Sequence, residues 1–235
     1  MLTLATKFLP ERPAFEIASR SGFRAAEFWL DGRLLLQSDL IASIAKEYPF
    51  RYAVHFPNQG PLSQEALSGA VNLYDRLDCT AMIIHQPMFD EYGAFLRQMR
   101  PGIDLAIENH LLDLPGIERW AEESPGLTLD VEHLWLYTLQ DAPLATLLKH
   151  VDRLLARHAA KVHHVHLPGY TPGSDEHHPI HHSPVMAKEV LTLLHQYGFG
   201  KLVVSEANEL FQSDEYLKKD VAFFEDWTSS LAAHP

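Results

Sequence analysis

The chain is poor in cysteine and in basic residues, and it has no long apolar run. Cys79 is the single cysteine, so no disulfide can form within the chain, which is compatible with a reducing compartment. The 19 Lys and Arg are outnumbered by 31 Asp and Glu, giving a net charge of −12. This balance argues against a general nucleic-acid binder, because neutralising phosphates requires a basic face.

Two further absences concern targeting. No basic stretch precedes an apolar segment at the N-terminus, as it would in a signal peptide. No window approaches the roughly 18 consecutive apolar residues of a membrane-spanning helix. We therefore expect a cytoplasmic location and no membrane partner.

Composition and periodicity predict one α/β domain. Hydrophobic residues make up 46% of the 235 positions and charged residues 21%, which is ordinary for a globular chain. Short apolar runs alternate eight times with amphipathic stretches, so we expect residues 1–235 to form a single (β/α)₈ TIM barrel. An open doubly wound sheet is the alternative, but no Gly-x-Gly-x-x-Gly follows an early strand. The predicted strands are Leu2–Thr6, Ala25–Trp29, Arg51–His55, Ala81–His85, Asp104–Glu108, Leu127–Asp130, Lys161–His166 and Leu202–Glu206.

Histidine is the residue that is abundant. The chain has 15, and seven of them fall between His163 and His182. The longest predicted loop, residues 170–183, follows the seventh strand and contains four of these seven. Because loops of this length are usually functional, we expect this one to border an active site.

The ends of six consecutive predicted strands carry residues of metal-ligand type. In a barrel of this kind the active site lies at the C-terminal ends of the strands, so their last residues would converge there. Any one of them could be an ordinary hydrogen-bonded side chain, but carboxylates and imidazoles buried together need a cation. The sequence therefore predicts a metal site formed by His55, His85, Glu108, Asp130, His166 and Glu206.

Three more candidate ligands accompany these six. His133 follows Asp130 by three residues, whereas Asp175 and His177 lie two residues apart on the 170–183 loop. A turn-forming aspartate and a solvated polar loop are the plain alternatives. Nine ligands are too many for one ion of four to six ligands, so we expect two or three ions. Mixed imidazole and carboxylate donors suit zinc, manganese or iron.

Four neighbouring residues could assist the site. Glu27 on the second strand could face the cavity and bind substrate, or it could lie at a turn on the helix side. Trp29 could contact substrate or lie in the core. His164 shares the inward face of His166, where a core histidine is the alternative to a ligand. Asn109 could orient the Glu108 carboxylate, or it could simply begin a loop.

These motifs together resemble the xylose isomerase-like TIM-barrel superfamily, which joins sugar-phosphate isomerases and epimerases with the endonuclease IV-type AP endonucleases. The resemblance runs through Val54-His55-Phe-Pro, Ile84-His85-Gln-Pro, Ile107-Glu108-Asn109, Leu129-Asp130-Val-Glu-His133, Val165-His166-Leu, Asp175-Glu-His177-His and Ser205-Glu206.

The endonuclease IV branch implies three zinc ions and phosphoester hydrolysis. In this branch one ion would be held by His55, His85 and Glu108, and Glu108 would bridge to a second held by Asp130, His166 and Glu206. The third would be held by His133, Asp175 and His177. Zinc is thus the expected metal, with manganese and iron as alternatives.

The epimerase branch implies a different use of the same positions. A single ion would be held by Glu108, Asp130, His166 and Glu206, and the catalytic pair Glu108 and Glu206 would exchange a proton at a carbon next to a carbonyl. This branch tends to carry an arginine shortly after the histidine of the seventh strand, whereas Leu-Pro-Gly-Tyr follows His166 here.

We expect the substrate to be a small phosphorylated or polyhydroxylated molecule rather than DNA. The chain is acidic, and the loop at residues 56–61 lacks an aromatic-rich insertion that could wedge into a duplex. The leading hypothesis is a multinuclear hydrolase of a small phosphoester, and the alternative is a one-ion sugar or sugar-phosphate isomerase or epimerase. A non-catalytic metal-binding protein is a third hypothesis, because His-rich tracts can simply sequester metal.

Overall fold

The computed structural model describes residues 2–174 and 177–232. Eight parallel strands pair in sequential order, and β1 also pairs with β8, which closes the barrel. The predicted (β/α)₈ TIM barrel is thus confirmed. The strands are β1 Thr3–Phe8, β2 Ala25–Trp29, β3 Arg51–His55, β4 Met82–His85, β5 Leu105–Glu108, β6 Leu127–Asp130, β7 Val162–His166 and β8 Leu202–Ser205.

Helices surround the barrel, and their ends follow local chemistry. The side chains of Ser63 and Asp113 each accept a hydrogen bond from a first-turn backbone N–H and so begin α4 and α6. Gly22 ends α1 at φ 100°, a left-handed conformation that glycine adopts without strain. The helices are α1 Arg12–Ser21, α2 Gly32–Leu35, α3 Ser38–Ala45, α4 Gln64–Arg76, α5 Gln86–Met99, α6 Leu114–Glu123, α7 Val131–His133, α8 Leu144–His158, α9 Pro184–Gln196 and α10 Asp214–Ala232.

Alternate residues of each strand face the barrel axis, and this places apolar and polar layers at different heights. We call the end of the barrel at which the strands begin its lower end. The lower part of the interior is filled by a cluster of small and branched residues: Ala5, Ala25, Ala53, Ala81, Ile83, Ala106, Leu202 and Val204. Above it the same faces carry one polar residue from each of the eight strand units. We call this set the polar layer; it comprises Lys7, Glu27, His55, His85, Glu108, Asp130, His166 and Glu206.

The first strand differs from its prediction in a way that affects the polar layer. It runs to Phe8 rather than ending at Thr6, so Lys7 lies inside the strand and faces inward. Glu206 lies one residue beyond the end of β8 but keeps the inward direction of Val204. Within the described residues, no helix is both long enough and apolar enough to span a membrane.

Candidate metal centre

A cavity of about 840 Å³ opens at the C-terminal end of the barrel, directly above the polar layer. Lys7, His55, His85, Glu108 and Glu206 line it from below. These side chains are between 1% and 15% exposed, so their charges are largely removed from bulk water. Buried charges need partners of opposite sign, and the partners of each carboxylate therefore indicate what the cavity can bind.

Glu108 is surrounded by imidazole rings. Its Oε2 lies 2.9 Å from His55 Nε2 and 3.3 Å from His85 Nε2, and its Oε1 lies 3.0 Å from His133 Nδ1. Burial raises the pKa of Glu108, but the imidazoles of His166, His133 and His55 outweigh it and hold that pKa well below its usual value. Glu108 is therefore an ionised carboxylate at the centre of the site.

The partners of His55 indicate where a cation would fit. Its Nδ1 lies 3.0 Å from the Phe56 carbonyl oxygen, and its Nε2 lies 2.9 Å from Glu108 Oε2, so both ring nitrogens face acceptors. Burial and the Lys7 charge lower the pKa of His55, which favours the neutral ring with one N–H. With Nδ1–H donated to Phe56, the Nε2 lone pair faces the Glu108 oxygen, an arrangement that a metal ion between them would satisfy.

A second group surrounds His166. Its Nε2 lies 3.0 Å from Glu27 Oε2, whereas its Nδ1 lies 2.9 Å from Glu206 Oε2, 3.5 Å from Asp130 Oδ2 and 3.7 Å from Glu108 Oε2. The atoms His166 Nδ1, Asp130 Oδ2 and Glu206 Oε2 are buried without a well-formed hydrogen bond. Such orphaned atoms are rare in folded proteins and here converge on one point.

The opposite side of the His166 ring explains its orientation. Donation of Nε2–H to Glu27 fixes the tautomer and leaves the Nδ1 lone pair facing the three carboxylates, as in a carboxylate–histidine–metal triad. Burial alone would lower the pKa of His166, but the carboxylates of Glu206, Glu27 and Glu108 raise it well above its usual value. Without a metal ion, a proton on this ring is what balances the surrounding negative charge.

His133 joins the Glu108 group through a short helix. Asp130 Oδ1 accepts a hydrogen bond of 2.7 Å from the His133 backbone N–H and so caps α7, which turns the imidazole back toward the barrel. The His133 Nδ1 atom then lies 3.0 Å from Glu108 Oε1 and 3.6 Å from Asp130 Oδ2. Against the effect of burial, these carboxylates raise the pKa of His133 to about 10.

The loop after β7 brings His177 to the edge of the centre. Its backbone N–H lies 3.1 Å from Glu132 Oε2, its carbonyl accepts from the Asn208 N–H at 2.8 Å, and its φ is 61°. A left-handed conformation is uncommon outside glycine and is frequent at functional sites. His177 Nε2 is 3.9 Å from Glu206 Oε1. Asp175, the predicted companion of His177, lies outside the described residues.

Among the described residues, three groups have ligand atoms that all lie within 4.8 Å of one another: His55 with His85 and Glu108, Glu108 with Asp130 and His166, and Glu27 with His164 and His166. The first two belong to the predicted ligand set and share Glu108. The third includes Glu27, which the sequence suggested as a substrate contact, and His164, which it suggested as a ligand or a core histidine.

Lys7 distinguishes the third group from the other two. Its ammonium lies 3.2 Å from Glu27 Oε1 and also contacts Glu206 Oε1. Burial opposes its charge, but Glu206, Glu27 and Glu108 more than compensate and raise the pKa of Lys7. Glu27 thus already has a permanent cation. Sequence reasoning missed Lys7, because the predicted strand ended one residue before it.

Of the two roles considered for Asn109, the structure shows the residue that begins the loop after β5 rather than one that orients Glu108. Its side chain donates to the Asp130 carbonyl at 2.9 Å and accepts from the Asp130 N–H at 2.8 Å, so it joins the ends of β5 and β6. It therefore positions the Asp130 backbone directly, and the described contacts do not connect it to the Glu108 carboxylate.

Comparison with known proteins gives structural likeness without sequence likeness. No family model and no curated protein matches the sequence. A D-tagatose 3-epimerase-like protein has a TM-score of 0.70 at 14% identity, covering 98% of both chains. D-allulose 3-epimerase from Methylomonas sp., solved with D-allulose, has a TM-score of 0.64 at 15% identity over 96% of both chains. Endonuclease IV from Thermus thermophilus has a TM-score of 0.62 at 15% identity, over 95% of this chain and 99% of that chain.

At these identities the likeness shows the fold alone. It confirms, at the level of the fold, the resemblance that the strand-end motifs predicted, since epimerases and an endonuclease IV are both among the similar structures. It does not distinguish between the two chemistries. That choice depends on which ligand groups this chain itself assembles.

Proposed function

We propose that the chain is a divalent-metal-dependent hydrolase with a centre of at least two ions, acting on a small phosphorylated substrate. The observation that carries the proposal is the pair of imidazoles, His55 and His85, whose Nε2 atoms both face Glu108 Oε2. A one-ion centre around His166 has no need of them. Glu108 would then be shared between two neighbouring groups, as expected of a bridging ligand.

The charge of the polar layer supports more than one ion. With neutral imidazoles, its four carboxylates and one lysine leave a net charge of −3 in a largely buried space. One divalent ion would leave −1, which repels an anionic substrate, whereas two would leave +1. A phosphorylated substrate therefore fits the two-ion state, and the expected zinc, manganese or iron all accept this donor set.

Bound divalent ions would polarise the phosphoryl group, lower the pKa of water and stabilise the leaving oxygen. The chain's own residues prepare the site for this chemistry. Glu27 orients His166, Asn109 fixes the backbone of Asp130, and the cap at α7 directs His133. Lys7 contacts Glu206 Oε1, so that Oε2 is the oxygen directed toward His166 Nδ1.

A sugar isomerase or epimerase is the second candidate, and one observation favours it. Glu108, Asp130 and Glu206 all approach His166 Nδ1 within 3.7 Å, and these four residues are the ones that a single ion would use. In that case Glu108 and Glu206 would act as the acid and base. The roomy cavity above these ligands supports either enzyme over a metal-storage protein.

The first experiment counts metal ions by plasma mass spectrometry on tag-free protein purified without added metal or chelator. We expect two or three equivalents, falling by one when His55 and His85 are both replaced by alanine. A third ion at His133, Asp175 and His177 would be lost from the Asp175→Ala, His177→Ala double variant. His163→Ala is the matched control, because this imidazole faces outward and pairs with Asp104.

Activity assays then separate the two candidates. Metal-loaded protein should hydrolyse p-nitrophenyl mono- or diesters of phosphate and release p-nitrophenol. The His55→Ala, His85→Ala variant should lack this activity. The second candidate would be favoured if the protein binds one equivalent of metal, keeps it in the His55→Ala, His85→Ala variant and epimerises a sugar. A protein without metal after reconstitution would contradict both.

A further inference from the structure

We infer that the natural substrate is amphipathic: its polar head lies over the polar layer, and an uncharged apolar or ring-bearing tail packs against an apolar wall of the same cavity. The wall is formed by Phe8, Leu9, Pro13, Ala14, Ile17 and Trp29. The identity of the head rests on the proposed function, whereas the tail is inferred from the wall itself.

The wall is built by the first two units of the barrel. On α1, Ile17 follows Pro13 by four residues and Ala14 by three, so its side chain neighbours both. Trp29 is the last residue of β2. Phe8 packs edge-to-face on Phe15, with ring centroids 5.1 Å apart. Because Phe15 packs behind Phe8, this part of the wall is held in place before a ligand binds.

Trp29 is the most informative member of the wall. Its side chain is 48% exposed, although it ends a strand whose other four residues are fully buried or nearly so. It lies two residues after Glu27 and so shares the inward direction of that strand, toward the cavity. Large aromatic side chains contribute most when they are buried against a ligand, and an exposed indole beside a polar centre is typical of binding sites.

The size of the cavity also exceeds what a small head group needs. Its volume of about 840 Å³ lies near the upper end of the roughly 300–1,000 Å³ of small-molecule sites. The polar layer occupies one side of this space and the wall occupies another. A phosphate or a single sugar bound to the polar layer would leave the wall in contact with water.

The charges around the wall indicate an uncharged tail. Glu11 and Glu209 line the cavity and would repel an anionic tail. Lys7 is the sole Lys or Arg among the described residues of the lining, and its ammonium is already held by Glu27 and Glu206. The six wall residues themselves are apolar, so a charged tail lying against them would lose hydration without gaining an ion pair.

The test measures binding without turnover, by titration calorimetry on metal-loaded protein. The ligands are two series that differ in head group, alkylphosphonates and alkyl β-glucosides, each with methyl, butyl and hexyl chains. Each methylene that moves from water onto the wall strengthens binding by up to about fourfold. We therefore expect hexyl to bind at least about tenfold more tightly than methyl in the series whose head group is accepted.

Trp29→Ala and Ile17→Ser should reduce this gain, the ratio of hexyl to methyl affinity, to less than about threefold. Leu36→Ser is the matched control: Leu36 is 52% exposed and follows the short helix α2 after the same strand, yet it is no part of the cavity lining. The gain should persist in this control.

The outcomes separate this inference from the proposed function. A chain-length gain that depends on Trp29, without hydrolysis of any phosphoester, supports the wall and contradicts the hydrolase. Hydrolysis without a chain-length gain supports the hydrolase and overturns the wall. Equal affinity of methyl and hexyl ligands in both series, or a gain that survives Trp29→Ala with Ile17→Ser, also overturns it.

Discussion

Two carboxylates inside the barrel, Glu27 and Glu108, are equally buried but have different partners. Glu27 has the Lys7 ammonium at 3.2 Å and the imidazoles of His164 and His166 at 2.6 and 3.0 Å. Glu108 has imidazoles around it and no direct contact with a lysine or arginine among the described residues. Both carboxyl groups have pKa values well below the usual range, so both carry charge.

These different partners indicate which of the two carboxylates needs a metal ion. A buried carboxylate with a permanent cation beside it is already compensated and can serve as a support. One that faces only imidazoles needs protons on those rings or a metal ion among them. We therefore propose that Glu27 is a support that orients His166 and that Glu108 is the central ligand of the metal centre.

The largest effect is expected from Glu108→Gln, which removes the shared ligand of the first two groups. The variant should lose the ions of these two groups, and phosphoester hydrolysis should fall about 10³-fold or more, since metal-ion catalysis supplies several kcal/mol. Metal analysis and initial rates measure these losses. Asp104→Asn is the control, because Asp104 pairs with the outward His163 at the other end of the barrel. Retention of full metal content in Glu108→Gln would refute the central role of Glu108.

Lys7→Met tests the other member of the comparison. It leaves Glu27 and Glu206 without their ammonium partner, and breaking a buried ion pair in this way costs about 3–5 kcal/mol of the free energy of unfolding. Urea denaturation of metal-free protein measures the loss. The exposed Lys46→Met should change stability by less than about 0.5 kcal/mol. A Lys7→Met protein as stable as the parent would mean that Glu27 is compensated otherwise.

The pH dependence of the metal-free protein sharpens the same contrast. The pKa of His133 is raised to about 10 and that of His166 is also raised, from the roughly 6.5 of an unfolded chain. Their contribution to folding is therefore complete below about pH 6.5 and is lost as the pH rises, for His133 through about 10. Stability should fall by roughly 1–3 kcal/mol between about pH 6.5 and 9.

On the acid side, the lowered pKa values of Glu27, Glu108 and Glu206 contribute stability above about pH 4.5 that is lost below it. Denaturation at about pH 3.5, 5.5 and 9 should therefore show a maximum at the middle value. Metal-loaded protein should lack the alkaline decrease, because the ions replace the protons on the imidazoles. An identical alkaline decrease with and without metal would contradict this assignment.

The smallest effect is expected from His164→Gln. His164 contacts Glu27 Oε2 at 2.6 Å. In the variant, Glu27 Oε2 would still contact His166, and Glu27 Oε1 would still contact the Lys7 ammonium. The variant should lose about 1 kcal/mol of stability, the net value of one hydrogen bond, and keep its full complement of metal. Loss of an ion from this variant would show that the Glu27 group is itself a metal site.

Residue type and alternation predicted much of the site. An inward residue at the end of a parallel strand must face the barrel axis, so His55, His85, Glu108 and Asp130 could be placed from the alternation alone. The same reasoning placed Glu206, although the strand itself ends at Ser205. His133 followed from the Asp-x-x-His spacing, and the structure adds the cap that turns its ring inward.

The partners of these residues could not be predicted in this way. Which carboxylate His133 approaches depends on the cap at α7, and the role of Asn109 depends on the neighbouring strand β6. The wall that contains Trp29 and Ile17 was not foreseen, because its members come from a strand end and a helix face with no common motif.

The barrel and the polar residues at the C-terminal ends of its strands could be predicted from the sequence alone, because strand alternation and the order of polar residues are local properties. Where charge is already compensated depends on contacts that form only in the folded chain. Lys7 and Glu206 are 199 residues apart and meet because β1 pairs with β8 when the barrel closes. That closure gives Glu206 a permanent cation, and the pairing of β1 with β2 gives the same cation to Glu27, whereas neither pairing gives one to Glu108. The difference arises from strand pairing, which no local pattern in the chain contains.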